Sequence, residues 1–371
     1  MEQRRVDVVV VGAGQAGLSV GYHLQRIGLV PVPRAGSEET GATPGRFVVL
    51  DDNVAPGGAW QHRWPSLTMA QAHAVHELPG MPLPPGDPQE PASSAVSRYF
   101  AAYEDRLSLG VRRPVRVRAV RDVGGPDGLL AVETDDGEWL TRSVVNATGT
   151  WQKPFWPAYP GQSTFSGRQL HTHDFRSAED FAGQHVVVVG GGTSGVQLTL
   201  QIAAVATTTW VTRRPPQWTR RAFDPEWGRD VEARVDKRTR AGLVPESVVG
   251  ATGLPLTAEY QAGIDAGILV PRPAFERIVP EGVQWSPGRV PPGEEVVRAD
   301  AIVWATGFRA ALDHLAPLHL RGHGGGIAMD GTQVVADPRL QLVGYGASAS
   351  TIGANRAGRE AVRNLRRSLG I

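Results

Sequence analysis

The sequence predicts an α/β protein of two domains built on one plan. Three observations carry that reading. Two glycine-rich turns, starting at Gly12 and Gly190, each follow a short valine run and open a helical pattern. Two Ala-Thr-Gly turns, ending in Gly149 and Gly307, each close a run of short strands. The order valine strand, glycine turn, helix, meander, Ala-Thr-Gly therefore occurs twice, and 371 residues suffice for two substantial cores.

Composition narrows the functions open to such a chain. The 38 basic and 37 acidic residues leave a net charge of +1, which points to neither nucleic acid nor an anionic membrane. The 45 glycines and 29 prolines punctuate apolar runs instead of forming tracts, so the chain does not read as disordered. Cysteine is absent, which excludes a disulfide framework, a thiolate metal site and a CxxC redox pair. Two arginines precede the first apolar run, but Val8 to Val11 is too short for a signal peptide and reads as a strand. No stretch approaches the roughly 18 apolar residues of a membrane span. No HExxH or other metal motif is present, so a cytoplasmic protein without a metal is expected.

Val6 to Val11 suits a parallel strand buried on both faces. It leads into Gly12-Ala-Gly14-Gln-Ala-Gly17, with Ala16, Val20, Leu24 and Ile27 at helical spacing behind it. G-x-G-x-x-G between strand and helix marks a Rossmann-like dinucleotide-binding domain. Gly12 permits the tight turn, Gly14 lets a pyrophosphate reach the backbone, and Gly17 lets helix and strand pack closely. The helix N-terminus adds free N–H groups and a positive dipole. The next strand, Phe47 to Leu50, ends in Asp51, placed to accept hydrogen bonds from an adenosine ribose. The gap from Gly12 exceeds the usual spacing of about 20 residues, and the surplus is the Pro- and Gly-rich stretch 31–46, an inserted loop. Gly57 and Gly58 then remove side chains where a flat ring must pass close to the backbone. Trp60 and Trp64 follow, to pack around such a ring or to serve as core tryptophans. Ser97 to Leu107 reads as a helix, and Val115–Val120, Leu129–Thr134 and Trp139–Val145 as a three-stranded meander ending at Gly149.

The second turn, Gly190-Gly-Gly192-Thr-Ser194-Gly195, opens a helix carrying Val196, Leu200 and Ala203. The strand after it, Thr209 to Thr212, ends in Arg213 and Arg214 where an NAD site would place an acid. Arginine there suits the 2′-phosphate of NADP through charge-assisted, bidentate hydrogen bonds; a solvated basic turn is the alternative. Residues 222–275 carry little signal beyond a charged surface helix over 230–240. Val283 to Ala305 repeats the meander and ends in Thr306-Gly307. Leu340–Val343, a glycine-serine turn and a helix from Thr351 close the chain, and that helix N-terminus could stabilise negative charge on a bound cofactor.

Between the two glycine turns lies Phe165-Ser-Gly167-Arg-Gln-Leu-His171-Thr-His173-Asp-Phe175, read as a linker able to touch both nucleotides. Its F-x-G-x-x-x-H-x-x-x-F spacing resembles the fingerprint of class B flavin-containing monooxygenases. With two nucleotide turns and two Ala-Thr-Gly turns beside it, the chain is similar to short bacterial members of that family over almost its entire length. The resemblance implies a glutathione- and thioredoxin-reductase-like architecture, with 1–160 and 300–371 as FAD-binding domain and 161–299 as NADP-binding domain. It implies FAD on Gly12, Gly14, Gly17, Asp51, Gly57, Gly58 and Trp60, with Gly149, Thr306, Gly307 and Thr351 lining the cofactor sites. It implies NADPH on Gly190, Gly192, Ser194, Gly195, Arg213 and Arg214. The family mechanism forms a C4a-hydroperoxyflavin that oxygenates a small-molecule substrate with O2, without a catalytic triad. Catalytic candidates are His171, expected to hold geometry more than to move protons, and Gln71, an amide where many relatives place asparagine; His73 is weaker. The fingerprint ends in Phe175-Arg176, unlike Baeyer–Villiger members, which favours oxygenation of a soft N or S atom over ester insertion. Alternatives are an NAD(P)H oxidase or diaphorase releasing peroxide, a Baeyer–Villiger oxygenase, and a non-enzymatic flavin redox sensor. A homodimer is compatible with all of them.

Overall fold

The computed structural model describes residues 3–33, 45–72, 75–124, 128–220, 225–245, 253–349 and 351–370. Most of the inserted stretch 31–46 and His73 lie outside the described residues. The chain divides into two compact units, Met1–Gly149 with Glu226–Glu246 and Ala310–Ile371, and Thr150–Pro225 with Ser247–Arg309. These limits differ from those the sequence suggests. The strand Ala301–Trp304 hydrogen-bonds along His185–Val189 and Arg168–His171, which ties it to the second unit's sheet. Residues 150–160 go with it, through Phe155 N–H to Gly307 O and Ile278 N–H to Pro160 O.

In the first unit five strands run parallel, in the order Leu340–Leu342, Gly137–Asn146, Gln3–Val11, Arg46–Leu50 and Val30–Pro31. Val8 and Val10 face one core, shared with Leu18, Val20 and Leu24 of the helix Gln15–Arg26 and with Ala357, Ala361 and Leu365 of the helix Thr351–Leu369. Val9 and Val11 face the other, with Leu130, Val132, Leu312 and Leu315. Both faces are buried, which is why the valine run shows no polar alternation. The meander Val117–Gly124, Leu129–Thr134, Gly137–Asn146 is antiparallel, and its last strand doubles as a member of the parallel sheet.

The second unit has a wholly parallel sheet in the order Arg272–Pro273, Thr207–Thr212, His185–Val189, Ala301–Trp304 and Arg168–His171. Val187, Val189, Val211, Ile302 and Trp304 face a core completed by Phe275, Ile278, Val283 and Trp285. The second meander is Arg277–Val279, Gly282–Gln284 and Val296–Arg298. The segment read as a linker is instead an edge strand of this sheet, Arg168–His171 followed by a short 3-10 turn. Among the described residues no helix is long and apolar enough to cross a membrane, and no group of three or more His, Cys, Asp or Glu could hold a metal ion.

Candidate functional site

Each unit carries one glycine turn at the carboxyl ends of its parallel strands, where open α/β sheets bind ligands. In the first, Gly12 N–H donates to Leu50 O and Ala147 N–H to Val11 O, so turn, acid strand and Ala-Thr-Gly turn meet at one sheet end. Gly12 has φ +99°, and a side chain there would meet Ala147 O at 2.6 Å. A Cβ on Gly17 would lie 1.9 Å from Gly12 O, so helix and turn can touch only with glycine in place. Gly14 is the N-cap of the helix Gln15–Arg26, and no side chain caps that end. No side chain therefore takes up the first-turn N–H groups, which water or a ligand can reach. Gly58, at φ +53°, lies against the same turn, and a Cβ on it would come within 2.8 Å of Gly14 Cα. Gly57, at φ +128°, is closed in by Ser97 Oγ.

Asp51 follows Leu50 and is 3% exposed. Its Oδ2 accepts from Arg113 Nε at 2.9 Å and its Oδ1 from Asn53 Nδ2 at 3.0 Å. These two bonds use two of the roughly four acceptor directions of a carboxylate. Trp60 is half-buried beside the apolar core, with the Arg63 guanidinium 5.9 Å from its ring centre. Trp64 is 1% exposed and sits in the interior. Gln71 is half-buried, and its Oε1 accepts from Thr68 only at the long limit of 3.5 Å. Gly149, at φ +62°, would place a Cβ in open space, while Thr148 Oγ1 donates to Ala311 O and His314 Nε2 bonds Asn146 Oδ1 behind it. Burial lowers the His314 pKa to about 4, which keeps that ring neutral. Thr351 begins the C-terminal helix, and Ser350 before it lies outside the described residues.

The second turn repeats the first in its tight contacts. Gly190 would meet Ala305 O at 2.1 Å, and Gly195 would meet Gly190 O at 2.2 Å. Gly192 caps the helix Thr193–Ala203 without a side-chain bond, and a Cβ on it would meet nothing within 4 Å. Ser194 lies half-buried in the first helical turn. Arg213 and Arg214 stand exposed just past the strand Thr207–Thr212, and neither forms an ion pair or hydrogen bond among the described residues. Thr306 donates to Phe155 O, and Gly307 O accepts from Phe155 N–H.

His171 is fully buried and held from both ring nitrogens. Nδ1 accepts from His173 N–H at 3.0 Å, which places the ring proton on Nε2, facing Gly307 O at 3.1 Å. Burial dominates its pKa and lowers it to about 4, against the weaker pull of the Gly307 bond and Asp174. The other fingerprint positions are equally tied into the fold. A Cβ on Gly167 would meet Asp300 O at 2.3 Å, and Phe175 stacks on Phe181 in the interior. His173 pairs with Asp174 at 2.7 Å.

Sequence reasoning missed the residues behind Asp51. Arg113 also grips Glu104 through both terminal nitrogens, and Asn53 accepts from His62 Nε2. One signal was available. Glu104 falls four residues after Phe100, on the apolar face of its helix, and a buried carboxylate there needs a cation.

The family model described as pyridine nucleotide-disulphide oxidoreductase matches residues 66–248. An oxidoreductase of Bacillus velezensis, CzcO, is 27% identical over 53% of this chain and 52% of its own. A probable indole-3-pyruvate monooxygenase of Arabidopsis thaliana, YUCCA4, is 31% identical over 52% of this chain and 43% of its own. The chain thus aligns with about half the length of the curated relatives it matches. Along its whole length it is similar to a solved structure, the flavin-containing monooxygenase from Stenotrophomonas maltophilia, at 35% identity with a TM-score of 0.80, covering 99% of each. On that end-to-end match the chain belongs to the flavin-containing monooxygenase family.

Proposed function

We propose that the chain is an FAD-dependent, NADPH-consuming monooxygenase that transfers one oxygen atom to a soft nitrogen or sulfur of a small organic molecule. The observation that carries this reading is the doubled site. Two helix N-termini stand without side-chain caps behind a glycine, one with an acid at the next strand end and one with two arginines. Family membership and the absence of cysteine point the electrons toward O2 and not toward a disulfide. When bound on the first turn, FAD would supply the redox and oxygen chemistry, with NADPH on the second turn as the electron source. The chain's own residues bind and orient. Gly14 and Gly58 let a pyrophosphate approach the first helix, and Asp51 accepts the adenosine ribose hydroxyls. Gly192 does the same at the second helix, with Arg213 and Arg214 on the 2′-phosphate. His171 acts as a neutral brace between its strand and the Thr306-Gly307 turn, with its one ring proton committed to Gly307 O. Gln71, at the position where many relatives carry an asparagine, is the amide assigned to the flavin by family resemblance.

NADPH oxidation by the purified yellow protein, with peroxide measured alongside, tests the proposal. Substrate-stimulated oxidation with little peroxide is expected from a panel of thioethers and amines. Stoichiometric peroxide with every compound would leave an NAD(P)H oxidase, and conversion of cyclic ketones to esters would move the chain to Baeyer–Villiger chemistry. No turnover with NADPH would remove both enzyme readings.

A further inference from the structure

Asp51, Arg113 and Glu104 form a buried line of charge beside the first glycine turn. The side chains of Arg113, Asp51 and Glu104 are 1%, 3% and 9% exposed. Arg113 divides its planar fork between two carboxylates. Nε donates to Asp51 Oδ2 at 2.9 Å, while Nη1 and Nη2 donate to the two Glu104 oxygens at 2.6 and 2.7 Å. The backbone supports the arrangement, because Asp51 N–H donates to Arg112 O and Val115 N–H to Asp51 O. From the other side, Asn53 Nδ2 holds Asp51 Oδ1, and Asn53 is itself held by His62 of the Gly58–His62 turn.

Stability alone is a weak reason for such a set, since well-packed apolar side chains often replace a buried ion pair without loss. What the fork adds is direction. A guanidinium gripped by Glu104 cannot rotate, so its Nε fixes the plane of the Asp51 carboxylate, and a flexible ammonium would not. We propose that Arg113, braced by Glu104, is a positioning residue that orients Asp51 toward the two hydroxyls of the adenosine ribose. This rests on the reading of the first turn as the FAD site.

FMN lacks the adenosine half of FAD, so the ratio of the two affinities isolates that contact. Full-length protein stripped of flavin is titrated with FAD and with FMN, for the wild type, Asp51→Ala and Arg113→Lys. Both variants are expected to weaken FAD binding about tenfold to a hundredfold while leaving FMN unchanged. If Asp51→Ala leaves the FAD preference intact, the ribose reading itself falls. If Asp51→Ala narrows the preference and Arg113→Lys does not, only the positioning role is overturned. Equal weakening of FAD and FMN by Arg113→Lys also overturns it, because a merely structural lesion does not distinguish the flavins. Should Arg113→Lys fail to fold, Arg113→Met combined with Glu104→Leu, which removes the Arg113–Glu104 pair together and keeps Asp51 in place, takes the same test with the same outcomes.

Discussion

The two glycine turns share their tight contacts and differ in what surrounds them. Gly12 and Gly190 each lie against the alanine carbonyl of an Ala-Thr-Gly turn, and Gly17 and Gly195 each admit the carbonyl of the first glycine. Around the first turn the polar groups are enclosed, with Asp51 gripped from two sides and Gly58 against Gly14. Around the second they are open, with Gly192 facing free space and Arg213 and Arg214 in solvent. An enclosed, preoriented site suits a cofactor that stays, and an open, charged one suits a cosubstrate that arrives and leaves each cycle.

The largest effects should come where the turns agree. Gly17→Ala and Gly195→Ala drive a Cβ into backbone carbonyls, 1.9 and 2.2 Å away, and should each cost roughly 1–3 kcal/mol or more in urea melts. The first should also lose flavin, and the second NADPH turnover with flavin retained. Gly192→Ala is the contrast. Its φ of −98° is ordinary and nothing lies within 4 Å, so stability should hold while NADPH affinity falls. An unchanged NADPH KM in Gly192→Ala would take the pyrophosphate away from the second turn.

His171→Ala should cost roughly 2–4 kcal/mol, because it leaves the His173 N–H without its acceptor and removes one of the two donors to the Gly307 carbonyl. His171→Gln can restore at least the bond to Gly307, and should recover stability together with turnover. A Gln variant that is stable but inactive would instead make His171 a proton carrier. Arg213→Ala should raise the KM for NADPH about tenfold to a hundredfold and barely alter that for NADH. An equal effect on both would clear the 2′-phosphate from Arg213.

The smallest effect is one of pH. His171 has a folded pKa lowered to about 4 from 6.5, so the unfolded chain binds the proton first as pH falls. Its contribution is whole above pH 6.5 and is lost progressively toward pH 4. His23 and His314, also lowered to about 4, share that slope. Denaturant melts across this range should show a shallower loss for His171→Gln than for the wild type.

The turns were legible because their causes are local: a valine run, glycines at fixed offsets and a helical pattern behind them. Arg168–His171 was not legible as a strand. It is four residues long and only partly buried, and its partner Ala301–Trp304 lies far along the chain. The same distance in sequence hid the domain limits, since only pairing with His185–Val189 assigns Ala301–Trp304 to the second sheet. The fingerprint histidine could be picked out by its spacing, whereas its burial and tautomer needed both backbone partners. The grip on Asp51 was hidden because Glu104 and Arg113 meet it only in three dimensions.

Oxygen transfer is the claim on which the rest depends. Single turnovers of the NADPH-reduced protein under isotopically heavy dioxygen, with a thioether present, read it directly. One heavy oxygen atom in the sulfoxide per NADPH oxidised is the predicted result. Heavy peroxide in equal amount, with the thioether unchanged, would contradict it.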